Sequence, residues 1–441
     1  MRRRFMSSKN MGTDASVPMY IEALTDNVTV SLSTNDVEYS LDGNTWQILS
    51  AGATSPSINT GDCIYFKGTL TPASSKGVGT FTISDNCNVG GNVMSLLFGD
   101  NIAREYNLAE KNYAFYKLFY KCRTIQSAKN LILPATTLAD YCYNYMFYDC
   151  TGLTQAPELP ATTLAKYCYR YMFYDCTGLT QAPELPATTL ADYCYYCMFS
   201  GCTGLTQAPE LPATTLADYC YYCMFSGCTG LTQAPELPAT SLKQYCYGYM
   251  FAYCTGLTQA PELPATSLQQ YCYSNMFDGC TGLIRAPKLS ATSLDIGCYN
   301  SMFNGCTGLT QAPELPATSL TNECYYLMFK GCTGLTQAPE LPATSLKQYC
   351  YGYMFRDCTG LTQAPELPAT ILASYCYYEM FYNCYNLNYI KMLATYISAS
   401  GCLSNWVSGV ASSGTFVKSK DATWDVTGTS GIPSGWTVET V

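Results

Sequence analysis

A cysteine returns every 26 residues from Cys150 to Cys384, through Cys176, Cys202, Cys228, Cys254, Cys280, Cys306, Cys332 and Cys358. The stretch between is nearly constant, and residues 150–175 read CTGLTQAPELPATTLAKYCYRYMFYD. A fixed period of this length is the signature of a solenoid, in which each coil buries its apolar side against its neighbours. One coil alone buries too little apolar surface to offset the entropy of ordering its backbone, so stability has to come from stacking.

Within a copy, Leu138, Cys142, Met146 and Cys150 recur in steps of four, a spacing that predicts a helix with one broad, slowly winding apolar face, widened by Phe147. Positions 140, 144 and 148 fall on another face, and there the copies differ. Asp140 is replaced by Lys166 or Gln244, and Tyr148 by Ser200, Asp278, Lys330 or Arg356. Variation therefore collects where solvent is expected. The other half, LTQAPELP, has two prolines, which suit a short extended segment and not a helix. Its register stays open: alternation from Ala156 puts Glu158 on the same side, whereas an inward Leu159 needs a bulge. One strand and one helix per coil predict an α/β repeat solenoid, right-handed, with a sheet on one side.

The flanks lack the period. Residues 1–16 form a basic stretch expected to be flexible, with Arg2, Arg3, Arg4 and Lys9. Residues 17–98 read as a small all-β, sandwich-like domain: VTVSLS alternates, VEYSL and TWQIL flank Asp42-Gly43-Asn44 as a hairpin, and CIYFKGTL and GTFTIS follow. Residues 99–129 imitate a coil through Tyr113, Phe115, Leu118, Phe119 and Cys122, but Cys122 precedes Cys150 by 28 residues, as expected of a cap. Coils are expected over 130–393. Residues 394–441 are expected to cap the last one, with CLSNWVSGV as a short helix and GTFVKS and WTVET as strands.

Charged residues make up 12% of the chain and the net charge is -9, which argues against a nucleic-acid partner. The basic N-terminus lacks the apolar run of a secretory signal, and no stretch approaches the roughly 20 apolar residues that span a bilayer, so no membrane insertion is expected. The chain has 26 cysteines, most of them in the repeat. Cys142 and its equivalents stand eight residues before the first column, about 12 Å along a helix and too far for a disulfide within a coil. Same-column cysteines in stacked coils would point in parallel, a poor geometry for bridging, so buried thiols filling the core are expected.

The motif YMFYDCTGL with the following LPATTLADYCY resembles the BspA-like leucine-rich repeats of the Treponema pallidum type, which pair an aromatic-containing F-x-x-C with a following L-x-x-[IA]. The likeness covers about 113–393. This chain departs in having a longer repeat than is usual, and Ala where Ile is common, which Ile390 restores in the last coil. The flanks GNVMSLLFGD and SGIPSGWTV are similar to proteins of gut Bacteroidales and their phages. The resemblance implies a leucine-rich-repeat fold and a role as a surface adhesin.

No histidine is present, which removes histidine-based nucleophile pairs and histidine metal sites. The row Glu158, Glu184, Glu210, Glu236, Glu262, Glu314, Glu340 and Glu366 offers stacked carboxylates for a cation or acid/base chemistry on glycans. A solvated row copied by duplication is the simpler reading, since a catalytic pair needs two unlike environments. Arg285 and Lys288 interrupt it, relieving repulsion or marking a contact. Cys194, Cys197, Cys220 and Cys223 spell CYYC twice, like zinc ligands, but the two stretches are identical blocks and read as one copied substitution. The tyrosine column beginning Tyr143, Tyr169, Tyr195 and Tyr221 offers flat rings with polar tips for contact, with packing between coils as the competing reading. With the basic residues Lys166, Arg170, Arg285, Lys288, Lys330 and Arg356 these tyrosines are the binding candidates.

The sequence thus predicts a non-enzymatic binding protein with no cofactor or metal, facing a cell-surface glycan or protein from a virion or bacterial surface, as a phage fibre or receptor-binding component or an adhesin. A glycan-active enzyme or a structural spacer are the alternatives. A homo-oligomer through the N-terminal domain is compatible with this organisation.

Overall fold

The computed structural model describes residues 14–102 and 104–441; the basic cluster Arg2, Arg3, Arg4 and Lys9 lies outside them. The chain divides into two compact units, 1–213 and 214–441, each described by itself.

The first unit begins with β1 (Met19–Ala23), β2 (Val30–Leu32), β3 (Val37–Ser40), β4 (Gln47–Leu49), β5 (Cys63–Lys67), β6 (Phe81–Ile83) and β7 (Cys87–Asn92). They form a sheet ordered β4-β3-β5-β1-β7 and a separate β2-β6 pair. The rings of Phe66 and Phe81, one from each sheet, meet at 5.0 Å. The expected hairpin is present: Val37 pairs with Leu49, and the Asp42 carboxylate accepts from the amides of Asn44 and Thr45 at 2.8 and 2.7 Å. A four-residue helix, α1 (Ser95–Phe98), follows. The sheet does not stop near residue 98, because β8 (Ile125–Ile132) pairs parallel to β7. The first coil thus continues the β-domain's hydrogen bonding.

The coils correct the main expectation. Residues 139–149 contain no helix and form a chain of turns. Amides alternate between two uses. Those of Tyr141, Tyr143, Tyr145, Phe147 and Asp149 donate to the carbonyls of Lys166, Cys168, Arg170, Met172 and Tyr174 in the next coil, at 2.7–3.1 Å. Those of Cys142, Asn144, Met146, Tyr148 and Cys150 close local turns onto the carbonyl three residues back, at 3.1–3.3 Å. Every fourth residue, Tyr141, Tyr145 and Asp149, has a φ of 57–60°, which interrupts any α-helical ladder. A helix turns about 40° further every four residues, so its apolar line would wind away. A four-residue turn repeat holds the line straight.

Side chains consequently alternate between inward pairs and an outward turn: Cys142 and Tyr143 are buried, Tyr145 is half-exposed, and Met146 and Phe147 are buried again, while Asn144 in this coil is also buried. The N-terminal cap shares the pattern, with positive φ at Tyr113, Lys117 and Lys121.

The proline side settles the open register. Leu153, Pro157, Leu159 and Ala161 are buried, Ala156 is half-exposed and Glu158 is exposed. Prolines withhold the amides a ladder needs, so neighbouring coils share only isolated bridges such as Ser127 with Gln155 and Leu263 with Leu289. Full strands form where the first of the two prolines is missing: β8 has Lys129 in its place, and β9 (Tyr389–Met392) has Lys391.

In the second unit the hydrogen-bond period runs past Leu393. The amides of Tyr377, Phe381 and Asn383 donate to the carbonyls of Cys402, Trp406 and Ser408 at 2.7–3.1 Å, so CLSNWVSGV is another row of turns and not the expected helix. β10 (Thr415–Lys418) and β11 (Thr437–Thr440) then extend β9 as a parallel sheet in the order β11-β10-β9. The sequence hides this coil because Trp406 and Val407 replace the Met-Phe pair of the other copies.

Candidate binding surface

The inward columns are core. Tyr143, Tyr169, Tyr195 and Tyr221 are each at most 1% exposed, so the expected contact row is not on the surface. Their rings stack between coils, Tyr143 on Tyr169 at 5.6 Å, Tyr169 on Tyr195 at 5.8 Å, and Tyr221 on Tyr247 at 5.8 Å. Burial pushes the Tyr143 and Tyr169 hydroxyls well above their ordinary pKa. The reason is the pairing of inward positions. Tyr143 follows an inward cysteine, and two consecutive residues face the core at each step.

The inward cysteines are buried and have two roles. Cys142 and its equivalents fill the core. Those of the Cys150 column also donate from Sγ to a phenylalanine carbonyl 29 or more residues earlier: Cys176 to Phe147 at 3.0 Å, and Cys280 to Phe251 at 2.9 Å. In the CYYC stretches Cys194 falls in an inward column and Cys197 in the positive-φ column at the turn, where it is nonetheless buried. The two therefore do not share a side of the turn row. Among the described residues no group of His, Cys, Asp or Glu is arranged to hold a metal.

The basic candidates do not form one site. Arg285 and Lys288 are exposed on the proline side. Lys330 and Arg356 lie half-buried in the turn rows of the second unit, where Arg356 pairs with Glu379 and sits 4.5 Å from the Tyr382 ring. Lys166 and Arg170 do meet, both 5.4 Å from the Tyr167 ring centroid. Lys166 also faces Asp192 at 3.9 Å.

The sequence shows the Tyr141 column as tyrosine except at Gly297 and Glu323; what it does not reveal is that this column faces outward with the tyrosines at 145 and 148 and with lysines among them. In the first unit Tyr113, Tyr141, Tyr167 and Tyr193 stack at 4.6–4.7 Å, Tyr145 on Tyr171 at 4.9 Å, and Tyr148 on Tyr174 at 4.9 Å. Lys117 lies 5.1, 4.9 and 5.4 Å from the rings of Tyr116, Tyr120 and Tyr145. Arg170 lies 5.4, 4.8 and 5.1 Å from those of Tyr167, Tyr171 and Tyr196. These contacts are available because the turn rows put the side chains of successive coils in register. The recurrence of Asp149, Asp175, Gly201, Gly279 and Asn383 at one position was the available signal, since Gly, Asn and Asp adopt positive φ most readily.

On the proline side, a groove of about 450 Å³ lies between the Ala-Pro-Glu-Leu-Pro segments at Glu158 and Glu184. One of about 440 Å³ lies at Glu340 and Glu366 in the second unit. Both are shallow and repeat with the coil. The Glu366 carboxylate is 2.9 Å from Lys391 Nζ.

Residues 111–222, 170–310 and 273–402 match the family model described as a BspA type leucine rich repeat region, in six copies. No curated protein matches the chain. Among solved structures, a leucine-rich repeat protein from Bacteroides ovatus is 18% identical, with a TM-score of 0.39, covering 76% of this chain and 91% of that one. The TLR13-ssRNA13 complex is 13% identical, with a TM-score of 0.24, covering 74% of this chain and 46% of that one.

Proposed function

Because this chain belongs to the BspA-type leucine-rich-repeat family, we propose that it is a non-enzymatic binding protein of the surface-adhesion kind, presenting the turn rows of its coils to a cell-surface protein or glycan. A binding or adhesion role at a surface is the one this family suggests. The observation that carries the reading is the division between constant and variable positions. Cys142, Tyr143, Met146 and Phe147 keep their type or size in coil after coil, all buried. Position 144 becomes Arg170, Tyr196, Gly248, Ser274 and Asn300, and position 148 becomes Ser200, Asp278, Lys330 and Arg356. Apart from the duplicated coils that carry Tyr196 with Ser200 and Tyr222 with Ser226, the coils thus offer varied chemistry on an unchanging frame.

The glutamate row supports the non-enzymatic side of the proposal. Glu158, Glu184 and Glu210 repeat in the same exposed setting, whereas acid/base catalysis separates two carboxylates by environment. Display on a virion or bacterial surface, as a fibre or receptor-binding component, belongs to the same proposal. No helix among the described residues is long and apolar enough to cross a membrane.

The test is binding of the full chain to an array of surface proteins and glycans from intestinal bacteria and epithelium. Replacing by Ala the partly exposed residues at positions 144 and 148 of the coils, such as Arg170, Tyr196, Asn300, Lys330 and Arg356, is expected to abolish the signal. Undiminished binding by that variant overturns the proposal, as does substrate turnover that disappears in Glu210→Gln.

A further inference from the structure

We propose that Lys117, Tyr145 and Arg170 form an anion-binding site that receives two carboxylates of an acidic protein segment; the proposal deepens the binding role above and rests on it. Lys117 and Tyr145 occupy the same turn position in successive coils, and Arg170 belongs to the coil after that. The two cations therefore flank one phenol. Lys117 Nζ lies 5.4 Å from the Tyr145 ring, and Arg170 lies 4.8 Å from the Tyr171 ring that stacks on Tyr145; burial raises the pKa of the Tyr145 hydroxyl while Arg170 and Lys117 both oppose the rise.

Three observations point to an absent anion. First, neither Lys117 nor Arg170 has a carboxylate within ion-pair distance among the described residues, whereas Lys67, Arg123 and Lys166 of the same unit do. Secondly, Arg170 is half-buried and its Nε is enclosed without a hydrogen-bond partner. A guanidinium held in this way between three tyrosine rings is positioned but not neutralised. Thirdly, the rings are stacked, Tyr145 on Tyr171 at 4.9 Å and Tyr120 on Tyr148 at 5.1 Å. Stacking covers the electron-rich faces and turns the positive ring edges and hydroxyls outward. Exposed Lys121, 5.2 Å from the Tyr120 ring, adds a further cation.

The spacing selects the partner class. Two coil steps separate Lys117 from the coil of Arg170, roughly 10 Å at strand-like stacking. A peptide in the polyproline II conformation returns to the same face every three residues, about 9 Å further on, so carboxylates at i and i+3 reach both cations. A sugar ring would need an uncovered aromatic face, whereas the Tyr145 ring carries Tyr171 on one face and has Lys117 over it at 5.4 Å. Tyr and Arg together are also the side chains that dominate protein–protein hot spots.

The experiment titrates the full chain with fluorescent poly-L-glutamate, with dextran sulfate and neutral dextran as parallel arms. The variants are Lys117→Tyr and Arg170→Asn, alone and together. Each installs the residue that another copy already carries at that position, Tyr145 or Asn144, and an unchanged thermal midpoint confirms folding. Lys330→Gln in the other unit is the control. Poly-L-glutamate is expected to bind in a salt-sensitive manner, losing roughly tenfold in affinity in each single variant and more in the double. Arg170→Lys is expected to recover only part, because the planar fork is lost. Absence of poly-L-glutamate binding, equal affinity in the double variant, or binding of dextran sulfate alone overturns the proposal. If the double variant keeps its poly-L-glutamate affinity while the chain still binds on the surface array, this site is wrong and the binding role stands.

Discussion

The Tyr271 hydroxyl donates to Glu323 Oε2 at 3.3 Å, although the two residues are 52 positions apart. Gly297 lies between them in the same column, and its missing side chain makes the contact. A Cβ there would stand 2.1 Å from Tyr271 Cε1, so the ring leans across the gap to the coil beyond. Gly297 has a φ of 58°, in the region where glycine is at ease.

Gly297→Ala is therefore expected to displace the Tyr271 ring and cost about 1–3 kcal/mol, read as a lower urea midpoint with unchanged slope. Glu323→Gln should cost less in the Gly297→Ala background than in the wild type, because the hydrogen bond is already lost. Additive effects would show that the tyrosine does not bridge the gap.

The thiols give a second expectation. Of the 26 cysteines, only Cys63 and Cys223 are partly exposed, and burial pushes Cys63 up to about 12. Ellman's reagent at pH 8 should label at most these two quickly in the native chain and the full complement in guanidinium. Rapid labelling of many thiols under native conditions would contradict the packed core.

Alkaline pH should unfold the protein. Burial pushes the Cys168, Cys246 and Cys332 thiols up to about 12, while an unfolded thiol ionises near 8.5. The neutral form is favoured in the fold, so stability is complete below the unfolded value and falls as pH rises toward the folded one. The inward tyrosines shift the same way from about 10, as Tyr247 and Tyr273 show. The thermal midpoint is expected to be flat from pH 6 to 8 and to fall steeply above about pH 9. A flat profile to pH 11 would refute the assignment of these groups to the core.

The Tyr143, Tyr247 and Tyr325 hydroxyls are buried without a hydrogen-bond partner. Tyr247→Phe and Tyr325→Phe are therefore expected to leave the fold intact and stabilise it by about 1 kcal/mol each. Guanidinium melts check this. A loss of stability would mean that these hydroxyls make a bond that matters. The constancy of tyrosine in that column has no explanation in the contacts.

Much of the core was legible in the sequence, because inward residues recur without change. Leu138, Cys142, Met146, Phe147 and Cys150 were read as one apolar line, and they are. The outward surface was legible only in part. Arg170 and Lys166 were singled out and lie together, but Tyr143 and its equivalents, offered as contact residues with packing between coils as the competing reading, stack inside. Lys117 was passed over because its cap coil is offset by 28 residues instead of 26, which hides its alignment with Tyr145.

By itself, the sequence determined the period, the repeat class and the identity of the residues that must be buried, since each copy states the same pattern. It could not decide between a helix and a row of turns. A step of four lies close to the 3.6 residues of a helical turn, and the choice depends on amides such as that of Tyr145, whose acceptor Arg170 lies in the next coil. That bond exists only once coils are stacked. Stacking also decides that Tyr143 is enclosed, that outward rings cover one another's faces, and that Lys117 and Arg170 come to flank the same phenol.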